Sequence, residues 1–223
     1  MLGTDRSFAK HLVLVYGSVG VLGVIPIGTS LAPGHIAVMT VALVATVVVP
    51  YVIMRYVYHE DTIQYPLLHG RWHWWHYGYI LLTALIGYFL LPFWMHTTGD
   101  YANWSVRDNP VELFILFLTT NGLGIWDELF FVVTTLAILR KHIPFWVANL
   151  IQATLWTAFL FDLAFQSWVF PLVFLFALLQ GIVFARTHSL LYVLAIHLTL
   201  DFVLYLALVN AHYPHLLNIF IIH

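Results

Sequence analysis

The chain has 223 residues, of which 62% are hydrophobic, 17% aromatic and 8% charged, with a mean hydropathy of +0.90. Soluble globular domains average about a quarter charged residues, so this is the composition of an integral membrane protein. Eight basic and ten acidic side chains leave no basic patch for nucleic acid and no charged disordered tail. The lack of cysteine excludes disulfides, thiolate metal sites, cysteine nucleophiles and iron–sulfur clusters.

At roughly 20 residues per crossing, the length holds about seven spans and little else. Seven apolar stretches are legible between segments that collect the charges, Pro and Gly: His11–Ile27, His35–Tyr58, His73–Met95, Val111–Leu139, Pro144–Phe165, Trp168–Ala185 and Ser189–Ala211. The first reads as an uncleaved span, because its apolar run is long and no small-residue cleavage site follows it. Pro50 interrupts the second, and Gly122 with Gly124 predict a kink or local widening in the long fourth. Before the third span, His69, His73 and His76 alternate with Trp72, Trp74 and Trp75. That segment reads as an interfacial aromatic belt, the alternative being a haem, chlorin or metal site, although no carboxylate or CxxCH motif accompanies it. The tail after Tyr213 is apolar and is expected along the outer interface. The fold class is thus an all-α polytopic membrane protein, one transmembrane domain with a three-helix part (11–110), a four-helix core (111–211) and a tail (212–223).

With the N-terminus in the cytoplasm, the inner segments carry Arg6, Lys10, Arg55, Arg71, Arg140, Lys141 and Arg186, and the outer ones carry Arg107 alone. The positive-inside rule therefore predicts N-in and C-out, in a cytoplasmic (inner) membrane. The loop His96–Pro110, with Asp100 and Asp108, then faces outside.

Six acids, Asp5, Glu60, Asp61, Asp100, Asp108 and Glu112, fall in loops or at span ends. Asp127, Glu128, Asp162 and Asp201 fall within spans, where no Lys or Arg lies as deep. A carboxylate at the bilayer centre costs at least ~2.5–3.5 kcal/mol on insertion scales, so the four imply protonation, water or a bound cation. His197 and Asp201 are four apart and share a helical face. Asp127 and Glu128 diverge by about 100°, so only one is expected to face a common centre while the other holds a neighbouring helix. At ~1.5 Å per residue, Asp127 and Asp201 lie about 18 Å from the cytoplasmic ends, His197 about 12 Å and Asp162 about 27 Å, so Asp162 joins only if its helix tilts or starts later.

The segment from about Asn121 to Val209 resembles the CAAX-protease and bacteriocin-processing (CPBP) family of intramembrane proteases. The run from Gly181 through Arg186, His197 and Asp201 looks like the family's last motif, a Gly-led helix end, a basic turn and HxxxN or HxxxD. Trp126-Asp127-Glu128-Leu-Phe-Phe-Val132 occupies the place of EExxxR, and Ala158-Phe-Leu-Phe-Asp162 that of FxxxH. Asp127 thus replaces the first Glu, Val132 the Arg, Ala158 the Phe and Asp162 the His; Glu128, His197 and Asp201 fit the pattern.

The resemblance implies a water activated by the first acid and the motif-two His for attack on a peptide bond near a lipidated or hydrophobic terminus, with motif three stabilising the oxyanion. Asp127, Glu128, Asp162, His197 and Asp201 are then the expected catalytic residues. Asp127, with a shorter reach than Glu, would be the general base. Ionised Asp201 would repel an oxyanion, so it must be protonated, paired with His197 or bound to metal. Read from the residues alone, Asp127, Asp162, His197 and Asp201 are an acid-rich set with one imidazole. Such a set suits a divalent cation, Zn²⁺, Mn²⁺ or Fe²⁺, which lowers the pKa of a bound water.

The leading expectation is a CPBP-type intramembrane endopeptidase, a hydrolase of metalloprotease or glutamate type. It would take a hydrophobic or membrane-anchored peptide or protein substrate, with membrane lipid around it. The alternative is a catalytically inactive CPBP-fold subunit that binds another membrane protein, a membrane protein complex or a pigment. A proton or cation carrier is a third class, against which the lack of a sequence repeat argues.

Overall fold

The computed structural model describes residues 2–67 and 71–221, with backbone alone for residues 2–5; His69 and His223 lie outside the described residues. Seven helical rods follow one another, with no strand among the described residues. They are α1 (Leu2–Val24), α2 (Pro33–Val52) continued by a π-helical turn (Ile53–Val57), α3 (Trp74–Thr98), a rod made of α4 (Pro110–Asp127), a π-helix (Glu128–Thr135) and α5 (Leu136–Arg140), then α6 (Phe145–Leu163), α7 (Phe170–Thr187) and α8 (Leu190–His212). Every apolar stretch read from the sequence is a rod, with ends displaced by a few residues. The largest displacement is at α1, which begins nine residues before His11.

Six rods are long and apolar enough to cross a membrane, and α6 is not among them. Asn149, Gln152, Thr154, Thr157 and Asp162 lower its hydropathy. It nevertheless runs the height of the bundle. Its start follows Lys141, paired with Glu60 at the end where α1 begins. It ends before Phe165, which stacks on Trp94 beside Asp100 at the opposite end. At 19 residues it is roughly 28 Å long, close to the ~30 Å hydrocarbon thickness.

The bundle is apolar outside, and its apolar core encloses a cluster of polar side chains. Leu81, Leu82, Leu85, Ile86, Phe89 and Phe93 of α3 face outward, whereas Asn149, Gln152, Gln180, Asp127 and Glu128 are buried. The π-helix is its axis, buried at every residue but Leu129, with α2, α6, α7 and α8 packed around it. Trp126 ties α4 to α2 by donating from Nε1 to Leu43 O (2.8 Å) and Thr46 Oγ1 (3.0 Å). Pro50 lacks an N–H and frees the Thr46 carbonyl, which accepts from Ser18 of α1. The helix thus passes through Pro50 without a break, and its π turn follows three residues later. The widening expected in the fourth span is present as the π-helix, beginning after Gly124. The tail folds back on α3, where Tyr88 donates to Ile219 O (2.7 Å) and Phe220 packs on the Tyr88 ring.

The basic residues other than Arg107, which pairs with Glu112 at the start of α4, gather at one end. Glu60, on the α2–α3 connection, is held by Lys10 (3.2 Å), by Lys141 and by His11 Nε2 (3.0 Å), and His11 Nδ1 lies 2.6 Å from His142 Nε2. Partial burial alone would raise the Glu60 pKa, but hydrogen bonds from Lys141 and Lys10 and the charge of His11 outweigh it and hold it below the ordinary 4.5. Burial and the Lys141 charge lower the His142 pKa from 6.5. Trp74, Trp75 and Tyr77 at this end are exposed, as an aromatic belt requires. His76 Nδ1 accepts from the His73 N–H (2.9 Å) and so caps α3.

Both shifts predict loss of stability in acid. The neutral form of His142 is favoured in the fold, so stability starts to fall as pH drops below 6.5. The Glu60 contribution is complete above 4.5 and is lost as pH falls through its lowered pKa. Thermal melts in detergent from pH 8 to pH 3 should show both declines, and Glu60→Gln should remove the lower one.

Candidate functional site

Glu128 is the first residue of the π-helix and is fully buried. Its Oε1 receives two donors: Gln180 Nε2 of α7 at 2.6 Å, and His197 Nδ1 of α8 at 2.9 Å. The same Gln180 nitrogen donates to Val193 O at 3.1 Å, so both its protons are engaged. The other ring nitrogen of His197 faces Asp201 Oδ1 at 3.6 Å, beyond direct hydrogen-bond range. Trp156 and Phe176 wall the imidazole, each at 5.3 Å between ring centroids. Asp127 is buried too. One oxygen on each of three acids, Asp127 Oδ1, Glu128 Oε2 and Asp201 Oδ2, finds no hydrogen-bond partner among the described residues.

Small residues make this convergence possible. A Cβ on Gly124 would collide with Asp201 Oδ2 and stand 3.3 Å from His197 Cδ2, so α4 approaches α8 here only as glycine. Gly181 does the same for α7 and α6, since a Cβ there would collide with Asn149 Oδ1. Asn149 donates to Leu178 O (3.0 Å), and Gln152 donates to Asn149 Oδ1 (2.8 Å) and Ala177 O (3.0 Å).

The structure therefore brings Asp127, Glu128, His197 and Asp201 into one buried set. Both members of the Asp127–Glu128 pair are interior, and Glu128 holds neighbouring helices through Gln180 and His197, the role that the 100° divergence assigns to one of the two. Asp162 is not part of the set. It is exposed, one residue before α6 ends, since α6 starts at Phe145 without the shift or tilt that would have brought it inward. The FxxxH spacing is met better by Phe145-Trp-Val-Ala-Asn149. It keeps the Phe that Ala158 lacks and places an amide, not an imidazole, in the core. Asn149, Gln152 and Gln180 were missed in the sequence because neutral amides draw less notice than charges; the retained Phe145 was the available signal. Val132, at the Arg position of EExxxR, is fully buried in the apolar core.

The four-residue metal set does not form. Among the described residues no three His, Asp or Glu side chains converge as a metal-holding group. His197 gives one ring nitrogen to Glu128, and Asp162 is exposed near the end of α6, so the four residues are not brought together. A cavity of about 280 Å³ opens between α2 and α4, lined by His35, Met39, Leu43, Trp104, Leu116 and Trp126 among others. None of the four clustered residues lines it, so we place the chemistry at the buried set and not at this cavity.

With the geometry in place, comparison with known proteins is direct. The family model described as "Type II CAAX prenyl endopeptidase Rce1-like" matches residues 109–203. Over residues 109–203 the chain is similar to this family. The CPBP resemblance read from the sequence is borne out over this segment, which runs from the α4 cap into α8 and contains Asp127, Glu128, Asn149, Gln180, His197 and Asp201. No curated protein and no solved structure matches.

The close approach of α4 to α8 sets a test. Gly124→Ala should lower stability by roughly 1–3 kcal/mol through overpacking. Gly122→Ala, where a Cβ meets nothing within 4 Å, should leave the melting temperature unchanged or slightly raised. Parallel thermal melts in one detergent compare the two.

Proposed function

We propose that the protein is a CPBP-type intramembrane endopeptidase whose water is activated by the buried acids and His197. The observation that carries this reading is the set of three unpartnered carboxylate oxygens around one imidazole. Buried charges and polar atoms need donors, and a water that reaches the free oxygens of Asp127 and Asp201 would meet that need.

In this mechanism Glu128 fixes the imidazole by accepting from Nδ1, so Nε2 faces the reacting water. Asp127, which Trp156 approaches as a donor and whose Oδ1 is unpartnered, takes the water's proton as general base. The hydroxide oxygen bonds to the scissile carbonyl carbon, and His197 Nε2, when protonated, donates to the developing oxyanion. Asp201 holds the proton that keeps it from repelling that oxyanion, or shares it with His197. Collapse breaks the C–N bond, and the leaving amine takes the proton from Asp127. Gln180 keeps Glu128 in place. The family description names a prenyl endopeptidase, so a prenylated or otherwise hydrophobic C-terminal peptide is the substrate class. The basic end is placed in the cytoplasm by the positive-inside rule.

A second reading, a CPBP-fold membrane subunit without catalysis, is favoured by Asn149 and Val132, which stand where the family pattern has His and Arg. The two readings separate on a farnesylated peptide ending in a short apolar sequence. The purified protein should cleave it; Asp127→Ala should lower kcat at least ~10³-fold with folding retained by circular dichroism, and His197→Gln, whose amide can still donate to Glu128, should do the same. Asp162→Asn, at an exposed site, should leave the rate unchanged. No cleavage by the unsubstituted chain, with another membrane protein co-purifying, would establish the second reading.

A further inference from the structure

The buried set has a non-helical cover on its basic side. Residues 59–67 cross that end as an extended strap, which starts at His59 with a left-handed φ of 56°. Four kinds of contact hold it. Glu60 is latched by Lys10, Lys141 and His11, and Asp61 pairs with Arg55 at 2.9 Å. Ile63 is 3% exposed, inside a cluster with Leu14, Met54, Val133, Leu190 and Val193. The Tyr65 hydroxyl meets Thr134 Oγ1 of the π-helix at 3.1 Å. The backbone carbonyls of Pro66 and Leu67 accept from Leu190 N (2.8 Å) and Leu191 N (3.0 Å), with Ser189 Oγ also on Leu67 O (3.4 Å).

The last of these gives carbonyl acceptors to the N–H groups at the start of α8, which a helix's own first turn leaves unsatisfied, and the carbonyls of a docked peptide can serve the same groups. Here Ile63 is buried and Tyr65 half-buried while Gln64 between them is exposed, an alternation that holds over these three residues and ends before Leu67, which is exposed. The groove also leads to the site. Leu190 precedes His197 by seven residues, roughly 10 Å along α8, which an extended chain covers in about three residues. Val193, under the strap, is the residue whose carbonyl holds Gln180 against Glu128.

We propose that residues 63–67 occupy the groove in which a substrate's extended backbone docks, and that the Glu60 latch keeps this internal peptide in place until substrate displaces it. The proposal rests on the endopeptidase reading and adds to it the docking site and its self-occlusion. The strap is a competitor present at fixed effective concentration, so loosening the latch lowers KM for a peptide and leaves kcat alone.

The cysteine-free chain offers a readout independent of catalysis. Val193→Cys lies beneath the strap, and Ala148→Cys, equally buried, lies in a separate cluster. Each is labelled with a maleimide in the latched protein and with the latch broken by Glu60→Gln. Tyr65→Phe, which removes only the hydroxyl, serves as the milder second variant. Labelling at 193 should rise about tenfold on unlatching, through local opening, with 148 unchanged, and a saturating farnesylated peptide should protect 193 again. For that peptide KM should fall severalfold at constant kcat. Unchanged labelling at 193, an equal rise at both positions, or no protection by peptide overturns the proposal. Protection without hydrolysis upholds the docking groove and refutes the endopeptidase reading instead.

Discussion

The hydrogen bond between His197 and Glu128, 2.9 Å long and deep within the bundle, is the constraint on which the rest of the structure depends. A carboxylate there is tolerable only if donors reach it, and both that do come from other helices, His197 from α8 and Gln180 from α7. The requirement fixes where α7 and α8 sit against the π-helix. It also explains the glycines: Gly124 lets α4 reach Asp201, and Gly181 lets α7 reach the Asn149 and Gln152 amides on α6. The π-helix follows the same logic. A π segment inside an α-helix is uncommon and frequent at functional sites, and this one starts on the acid the network is built around.

The departures from the CPBP pattern have a consistent physical direction. An Arg at position 132 would place an unpaired guanidinium in an apolar core, and Val132 packs there instead. On α6, Asn149 bonds to Leu178 O and Gln152, forming an amide chain that locks α6 to α7 and cannot take a proton. The proton-accepting groups are thus concentrated on the rod of α4 and on α8, around a single imidazole. That concentration is why the proposed mechanism assigns proton transfer to Asp127 and His197 and leaves the amides a framework role.

Much of this was legible in the sequence because the bilayer makes certain errors expensive. Apolar run length gave the seven rods, and the cost of an intramembrane carboxylate singled out Asp127, Glu128, His197 and Asp201. Asp162 was misjudged by the same rule. Its depth count already put it near the outer end, where exposure makes a charge cheap, and its match to FxxxH hid the Phe145–Asn149 spacing. Gln180 has no charge, and its role depends on two partners 52 and 13 residues away, which periodicity does not report. The strap was read only as a connection, because its contacts are long-range and use backbone carbonyls that carry no sequence signal.

The most direct test of the central claim is ¹⁵N NMR of the histidine rings in selectively labelled protein, with His197→Gln identifying the His197 signals by difference. A His197 ring with a protonated, hydrogen-bonded Nδ1, exchanging slowly with water and altered by Glu128→Gln, is the predicted result. A His197 ring in fast exchange, indifferent to Glu128→Gln, would contradict the network and the mechanism built on it.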